Sequence, residues 1–180
     1  MKVKHKFSGG FLIIFLIAFI ILNCFLGKAF INYHENKIKN EMDSLYKSSY
    51  SILRLYFQVN NLEGNKGNFN RYIPKISNDI SEQGKCQIDV FNEALEKEYS
   101  YYLDDFSFDY ERDGGYDVLK EANKNKAALN IYRDENAVKA YLAFPVYVDD
   151  SFLGNILLSK DYSKEYLELR DLMSNIKFIV

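Results

Sequence analysis

The sequence predicts an α+β protein with a transmembrane helix at its N-terminus. Three observations support this fold class: an uncharged apolar run near the start, apolar repeats typical of helices at both ends, and five short strand-forming segments between them. The chain has 180 residues. About 150 of them follow the apolar run, which is enough for one domain with its own core.

The first element is a hydrophobic helix over residues 11–31. It makes about 31 Å of helix, enough to cross the core of a bilayer. A cleaved signal peptide is one alternative, but it needs small residues where this run has NCFL at positions 23–26. A lipoprotein anchor at Cys24 is the other alternative, and Asn23 is a poor residue before a lipidated cysteine. The run therefore predicts a helix that stays in the membrane.

The flanking charges predict the orientation of this helix. Lys2, Lys4 and Lys6 precede it, so residues 1–10 are expected in the cytoplasm and residues 32–175 outside. Without these three lysines, 20 basic residues remain against 25 acidic ones, a balance that disfavours nucleic-acid binding. Cys86 is the single cysteine of the exported part, so no disulfide is expected within it.

A long helix is predicted to leave the membrane and end near residue 60. Its evidence is an apolar residue at every seventh position: Ile31, Ile38, Leu45, Ile52 and Val59. The sequence GNKGN at residues 64–68 is interpreted as a plain loop. Pro74 is then expected to open a short helix that ends at Gly84.

Five strands are predicted in the middle of the chain, over residues 86–90, 95–103, 128–133, 138–148 and 152–160, with a helix over about 116–126 before the third. Residues 134–137 are expected to form a hairpin turn. The last two strands are apolar on successive residues, which indicates a sheet that is covered on both faces. Pro145 predicts a bulge or an unpaired edge in the fourth strand.

The last segment has the most regular apolar repeat of the chain. Its members are spaced by four and three residues in turn: Tyr162, Tyr166, Leu169, Met173, Ile176 and Val180. This pattern predicts a helix that returns to the membrane, with residues 176–180 as the start of a second transmembrane helix. The apolar stripe needs a partner, and the first helix, in the same chain or in a second copy, is the expected one. A homodimer is predicted whose helices meet at Ile38, Leu45, Ile52, Tyr166, Leu169 and Met173.

Catalytic motifs are missing from the sequence. It contains no G-x-S-x-G or H-E-x-x-H motif, and His34 has no Cys, Asp or Glu at a metal-ligand spacing. No catalytic residue and no cofactor are therefore expected in this chain.

Two groups of residues are candidates for recognition. Tyrosines and an amide near the predicted hairpin suit a small polar ligand, and ordinary core tyrosines are the alternative: Asn130, Tyr132, Arg133, Tyr141 and Tyr147. If residues 134 and 137 pair, Asn130 faces Tyr141 across the hairpin. The second group is the acidic stretch 93–117, where Asp104, Asp105 and Asp109 are weak candidates for binding a divalent cation or a cationic peptide. Their spacing does not match an EF-hand, and a solvated acidic loop is the alternative.

The order of these elements resembles the Cache or PDC sensor domains, a PAS-like group found outside the membrane in bacterial sensor histidine kinases and chemoreceptors. The stretch AYLAFPVYVDDSFLGNILLSKDYSKEY, residues 140–166, carries most of this resemblance. The resemblance implies a five-stranded antiparallel sheet, the long N-terminal helix on one face, and short helices with a small-molecule pocket on the other. It further implies the sensor domain of a two-component histidine kinase. A chemoreceptor sensor and a membrane-anchored interaction domain without a ligand are the alternatives.

Overall fold

The computed structural model describes the backbone of residues 2–102, 108–124 and 126–179, and the side chains of residues 11–102, 108–124 and 126–174. The described chain is an α+β fold. Its elements are α1 (Lys2–Val59), α2 (Lys66–Gly84), β1 (Gln87–Phe91), β2 (Lys97–Tyr101), α3 (Gly115–Ala122), β3 (Ala128–Arg133), β4 (Val138–Val148), β5 (Ser151–Asp161) and α4 (Ser163–Ile179).

Helix α1 is one continuous helix of 58 residues. Its N-terminal part is apolar and exposed; Phe11 and Phe25, for example, are 73% and 70% exposed. Among the described residues, α1 is the one helix long and apolar enough to cross a membrane. Its end at Val59 agrees with the predicted end near residue 60.

The second half of α1 lies on the sheet and buries one side. The predicted seven-residue repeat holds at Ile38 and Leu45, which are buried, but Val59 is 69% exposed. An α-helix has 3.6 residues per turn, so a strict seven-residue repeat drifts around the helix by about 20° per heptad. Leu53 and Phe57 therefore occupy the buried side farther along.

Helix α2 begins earlier than predicted. The side chain of Asn65 caps it by accepting a hydrogen bond from the backbone N–H of Asn68 at 2.9 Å, so GNKGN is a helix start and not a plain loop. Pro74 lies inside the helix, on its exposed side. The end at Gly84 is as predicted, and Lys85 after it has the left-handed conformation typical of a helix C-terminus.

The sheet has five strands in the order β2-β1-β5-β4-β3, and all neighbouring strands are antiparallel. Their bounds lie close to the predicted ones, whereas α3 ends at Ala122 and not near residue 126. The predicted hairpin forms, with the Asp134 N–H donating to the Ala137 carbonyl at 2.8 Å. As expected from that turn, Asn130 lies directly opposite Tyr141.

Pro145 lies where β4 has a paired neighbour on one side only, so it disturbs the pairing of the strand less than a proline in the middle of a sheet would. It pairs with Asn155 of β5 on one side, while the pairing of β3 with β4 begins at Ala128 and Ala143. Pro145 thus lies past the end of β3, and the register shifts just after it, between Val146 and Tyr147. Both predicted features are therefore present: one edge of β4 is left unpaired by β3 at Pro145, where a proline without an N–H is tolerated, and the pairing with β5 is irregular just after it.

Both faces of the sheet are covered, as the apolar strands predicted. The larger core lies between the sheet and the two long helices α1 and α2, and the smaller one lies between the sheet and α3. The expectation of short helices on the face opposite α1 is therefore correct for α3 and wrong for α2. Helix α2 lies beside α1 because Phe69, Ile73 and Ile76 project from one side of it into the shared core.

Candidate functional site

Helix α3 covers only half of its face of the sheet. Under it lie the apolar side chains of Phe91, Ala143 and Leu157. The other half, here called the polar half, consists of the sheet residues Gln87, Asp89, Ser100, Lys139, Tyr141 and Ser159 on that face. Side chains of the segment 108–114 contact this half.

Two buried carboxylates organise the contacts of the polar half. The first is Asp113 of the segment 108–114, which is 1% exposed. Its carboxylate accepts hydrogen bonds from Tyr141 Oη at 2.8 Å, Lys139 Nζ at 3.1 Å and Arg112 Nε at 2.8 Å. Its backbone carbonyl accepts a fourth bond from Asn130 Nδ2 at 2.8 Å. Asp113 is thus a buried charge that is fully paired, which is the condition for keeping a carboxylate ionised away from water.

These contacts shift the pKa values of Asp113 and Tyr141. Burial tends to raise the pKa of Asp113, but the hydrogen bonds from Arg112, Tyr141 and Lys139 together outweigh it and hold the pKa below its ordinary 3.8. Burial, followed by the hydrogen bond to Asp113, raises the pKa of Tyr141 well above its ordinary 10.0. The phenol therefore stays protonated and keeps donating to the carboxylate.

The second carboxylate is that of Asp89 on β1, which is fully buried. It accepts hydrogen bonds from Gln87 Nε2 at 2.7 Å and Lys97 Nζ at 3.0 Å, and from the hydroxyls of Tyr110 and Ser100. Burial, then the negative charge of Asp89, raises the pKa of Tyr110. Asp113 and Asp89 thus each accept a hydrogen bond from one lysine and one tyrosine.

Aromatic contacts connect the surroundings of these two carboxylates. The ring of Tyr141 meets the ring of Tyr110 edge-on with centroids 5.8 Å apart, and it meets Phe108 in the same way at 5.8 Å. Pairs of this geometry favour a fixed orientation of the rings. The polar half is therefore one connected network and not two separate ion pairs.

A cleft of about 740 Å³ opens at one end of the polar half, beside α4. Its sheet wall includes Gln87 and Ser159, and its helix wall includes Leu167, Glu168 and Asp171. Clefts of this size hold small molecules in proteins. A molecule bound here would touch the sheet and the last helix at the same time.

The five predicted ligand residues separate into two groups. Asn130, Tyr132 and Tyr141 lie on the α3 face, and the Arg112 guanidinium lies over the Tyr132 ring at 5.7 Å.

The other two predicted residues lie elsewhere. Successive residues of a strand point to opposite faces, so Arg133 lies on the α1 face, with its guanidinium over the Tyr166 ring at 5.6 Å. Tyr147 lies near the end of β4, after the shift in register, and its ring centroid is 5.5 Å from that of Phe152.

Of the weak metal candidates, Asp104 and Asp105 lie outside the described residues. Asp109 is exposed, and its carboxylate accepts from the backbone N–H of Arg112 at 3.1 Å, which caps the turn before α3. The described part of the chain contains no group of three or more side chains that could hold a metal ion.

The residues predicted to lie between the helices of a homodimer also differ in their surroundings. Ile38 and Leu45 are buried in the core of their own chain, and their role between two copies stays a prediction. Ile52 and Tyr166 are partly buried against the same core. Leu169 and Met173 are half-buried along α4.

Helix α4 meets α1 just after the apolar N-terminal part of α1. The rings of His34 and Tyr166 lie 5.7 Å apart, and Lys37 and Glu165 form an ion pair at 3.3 Å. The first helix of the same chain is thus a neighbour of α4.

The sequence analysis missed several residues of the polar half and of the segment that contacts it, above all Asp89, Lys139 and Tyr110. The signal for two of them was an isolated charge within an apolar strand, as in CQIDVF and VKAYLAF. Such a charge is rarely buried without a partner.

Comparison with known proteins adds no family. No protein-family model matches the chain, and no curated protein matches it significantly. The chain is an α+β protein with a five-stranded antiparallel sheet and an N-terminal helix long and apolar enough to span a membrane.

Proposed function

We propose that the chain is the extracytoplasmic sensor part of a membrane-bound two-component histidine kinase, with a PAS-like domain of the Cache or PDC type. The observation that carries this proposal is the polar half: a buried network with a cleft, on the sheet face opposite α1. A five-stranded antiparallel sheet with a long helix on one face is also what the resemblance implies. The long apolar helix supports the membrane anchor.

The cleft suggests how a ligand would act. It is bounded by the sheet and by α4, and α4 contacts α1 through the Tyr166–His34 and Glu165–Lys37 pairs. A ligand that draws α4 toward the sheet would shift α4 against α1. In the proposed receptor, this shift between two helices carries the signal across the membrane in a homodimer.

The ligand part of the proposal is tested on the full chain in nanodiscs. A library of small metabolites and divalent cations is screened for compounds that raise the melting temperature. We expect at least one compound to do so, and its effect to be weakened in Ser159→Ala, at a serine that lines the cleft, but kept in Ser51→Ala, at an exposed serine on α1. Stabilisation by none of the compounds would favour a membrane-anchored interaction protein.

The output part is tested separately, because a chemoreceptor would have the same sensor. The expected result is a second membrane helix and a histidine-kinase domain encoded downstream of the Val180 codon. A chemoreceptor signalling domain there would change the output and leave the sensor proposal intact.

A further inference from the structure

The cleft beside α4 contains a buried acceptor whose orientation is fixed. Gln87 is 8% exposed, and its Nε2 donates to Asp89 Oδ2 at 2.7 Å and to Tyr110 Oη at 2.5 Å. Rotating the amide would put its oxygen against the Asp89 carboxylate, which is also an acceptor. Gln87 Oε1 therefore keeps its place, and it has no hydrogen-bond partner among the described residues. A buried acceptor in this state favours a ligand that brings a donor.

The neighbour of Gln87 on β5 extends this acceptor wall. Ser159 lies directly opposite Gln87 in the ladder, is fully buried and lines the same cleft. Its hydroxyl lies near Tyr110. The sheet wall thus has one amide oxygen and one hydroxyl oxygen, both buried, that have no hydrogen-bond partner among the described residues.

Carboxylates are in slight excess around the cleft. Its lining includes four acidic residues, Asp161, Glu165, Glu168 and Asp171, and three basic ones, Lys85, Lys160 and Lys164. One basic and one acidic residue of this lining are paired with residues outside the cleft. Lys160 is bound to Glu41 at 2.5 Å, and Glu165 is bound to Lys37 at 3.3 Å.

Two of these carboxylates are well placed to meet a ligand. Glu168 and Asp171 are three residues apart on α4, so they share one side of the helix, and both are exposed. They lie on the wall opposite Gln87. The cleft thus has a neutral acceptor on one wall and negative charge on the other.

This arrangement does not suit a bare metal ion. Calcium and magnesium sites take six or more oxygen ligands close together, and the described residues hold no cluster of three or more metal-ligating side chains. The cleft of about 740 Å³ has room for an organic molecule.

We propose that this cleft binds a small primary amine, whose ammonium group donates to Gln87 Oε1 and is attracted by Glu168 and Asp171. Hydrogen bonds from a charged donor are the stronger kind, and an amine spanning the two walls would hold α4 against β1 and β5. The inference rests on the proposed sensor function and names its class of ligand.

The experiment uses the full chain in nanodiscs of zwitterionic lipid, with empty nanodiscs as the blank. Isothermal titration calorimetry compares three probes of equal length: 1,4-diaminobutane, 1,4-butanediol and butanedioate. We expect saturable binding of the diamine and none of the diol or the diacid. Replacing both helix carboxylates (Glu168→Gln with Asp171→Asn) should raise Kd about tenfold, or about 1.4 kcal/mol of binding free energy, because the ammonium group loses both negative partners. The matched control is Glu121→Gln, an exposed carboxylate on α3, which should leave Kd unchanged.

Gln87→Met keeps the size of the side chain and removes the acceptor, so it should also weaken binding of the diamine. If this variant is unstable, the double variant on exposed α4 still decides the question. Absence of diamine binding, or equal binding by the double variant, would overturn the inference. Binding of butanedioate in place of the diamine would show that the ligand is not an amine. The sensor proposal would be unaffected, because the metabolite screen tests it separately.

Discussion

Asn130 and Tyr141 lie opposite each other on β3 and β4, and both hold Asp113. The amide donates to the Asp113 backbone carbonyl and the phenol to its carboxylate, each at 2.8 Å. Two neighbouring strands thus fix Asp113 within the turn that leads into α3. This links the position of α3 and of segment 108–114 to the polar half of the sheet.

Removing the Tyr141 hydroxyl tests the contribution of its hydrogen bond to Asp113. We expect Tyr141→Phe to lower the free energy of unfolding by about 1–3 kcal/mol, because a buried carboxylate loses one of its donors. Chemical denaturation of the full chain in detergent micelles measures the change. Tyr33→Phe, at a position 68% exposed on α1, should stay within about 0.5 kcal/mol of the wild type. Equal stability of the two variants would mean that the bond to Asp113 contributes nothing.

The low pKa of Asp113 predicts a loss of stability in acid. Its folded pKa lies below the ordinary 3.8, so the folded state binds its proton less readily than the unfolded state does. The resulting stability is present above the ordinary pKa and disappears as the pH falls through the folded one. We expect Asp113→Asn to be less stable than the wild type near neutral pH, with the difference shrinking below about pH 4. The measurement is the unfolding free energy across pH, and a constant difference would contradict the assignment.

The sequence predicted the elements whose signals are local. The bounds of β3 and β4 were predictable because turn residues separate two apolar stretches. The start of α2 was missed because the cap at Asn65 lies in a stretch of polar residues and glycines that resembles a loop.

The polar half was predictable only in part, for a different reason. Asn130 and Tyr141 could be paired from the hairpin register, but their shared partner Asp113 lies in another part of the chain. The Lys139–Asp113 ion pair likewise depends on the path of the segment before α3. Contacts between distant segments follow from the packing of the whole domain, which periodicity does not encode.

Gly114 is expected to tolerate no side chain. Its φ is +80°, and a Cβ there would lie 2.6 Å from Asn130 Nδ2. Gly114→Ala should therefore cost at least about 1–3 kcal/mol of unfolding free energy through backbone strain, with the clash in addition. Gly27→Ala is the matched control, since a Cβ at Gly27 meets no atom within 4 Å. In the double variant Gly114→Ala with Asn130→Ala, the clash disappears and the two costs should not add; full additivity would argue against the contact.

The orientation of α1 can be tested by labelling cysteines in intact bacterial cells with a membrane-impermeant maleimide. The background is Cys24→Ser, and Cys86 stays silent because it is 4% exposed and burial raises its pKa to about 12. Glu135→Cys, in the exposed hairpin turn, should label from outside. Lys4→Cys should label only after the membrane is permeabilised, because the lysines before the helix favour the cytoplasm. The reverse pattern would invert the topology and contradict an external sensor.

The contact between α4 and α1 gives the last prediction. The rings of His34 and Tyr166 are 5.7 Å apart within one chain, and the Lys37–Glu165 ion pair lies on neighbouring turns of the same two helices. Cysteines introduced as His34→Cys and Tyr166→Cys, in the Cys24→Ser background, should therefore be joined within the chain by a short bis-maleimide cross-linker, which spans more than the roughly 7 Å between Cα atoms that a direct disulfide allows. Non-reducing electrophoresis would show a monomer of changed mobility. The control pair, His34→Cys with Glu168→Cys, should cross-link much less, because Glu168 lines the cleft on another side of α4. A covalent dimer from the first pair would mean that α4 packs on a second copy, and signalling would then pass between protomers and not along one chain.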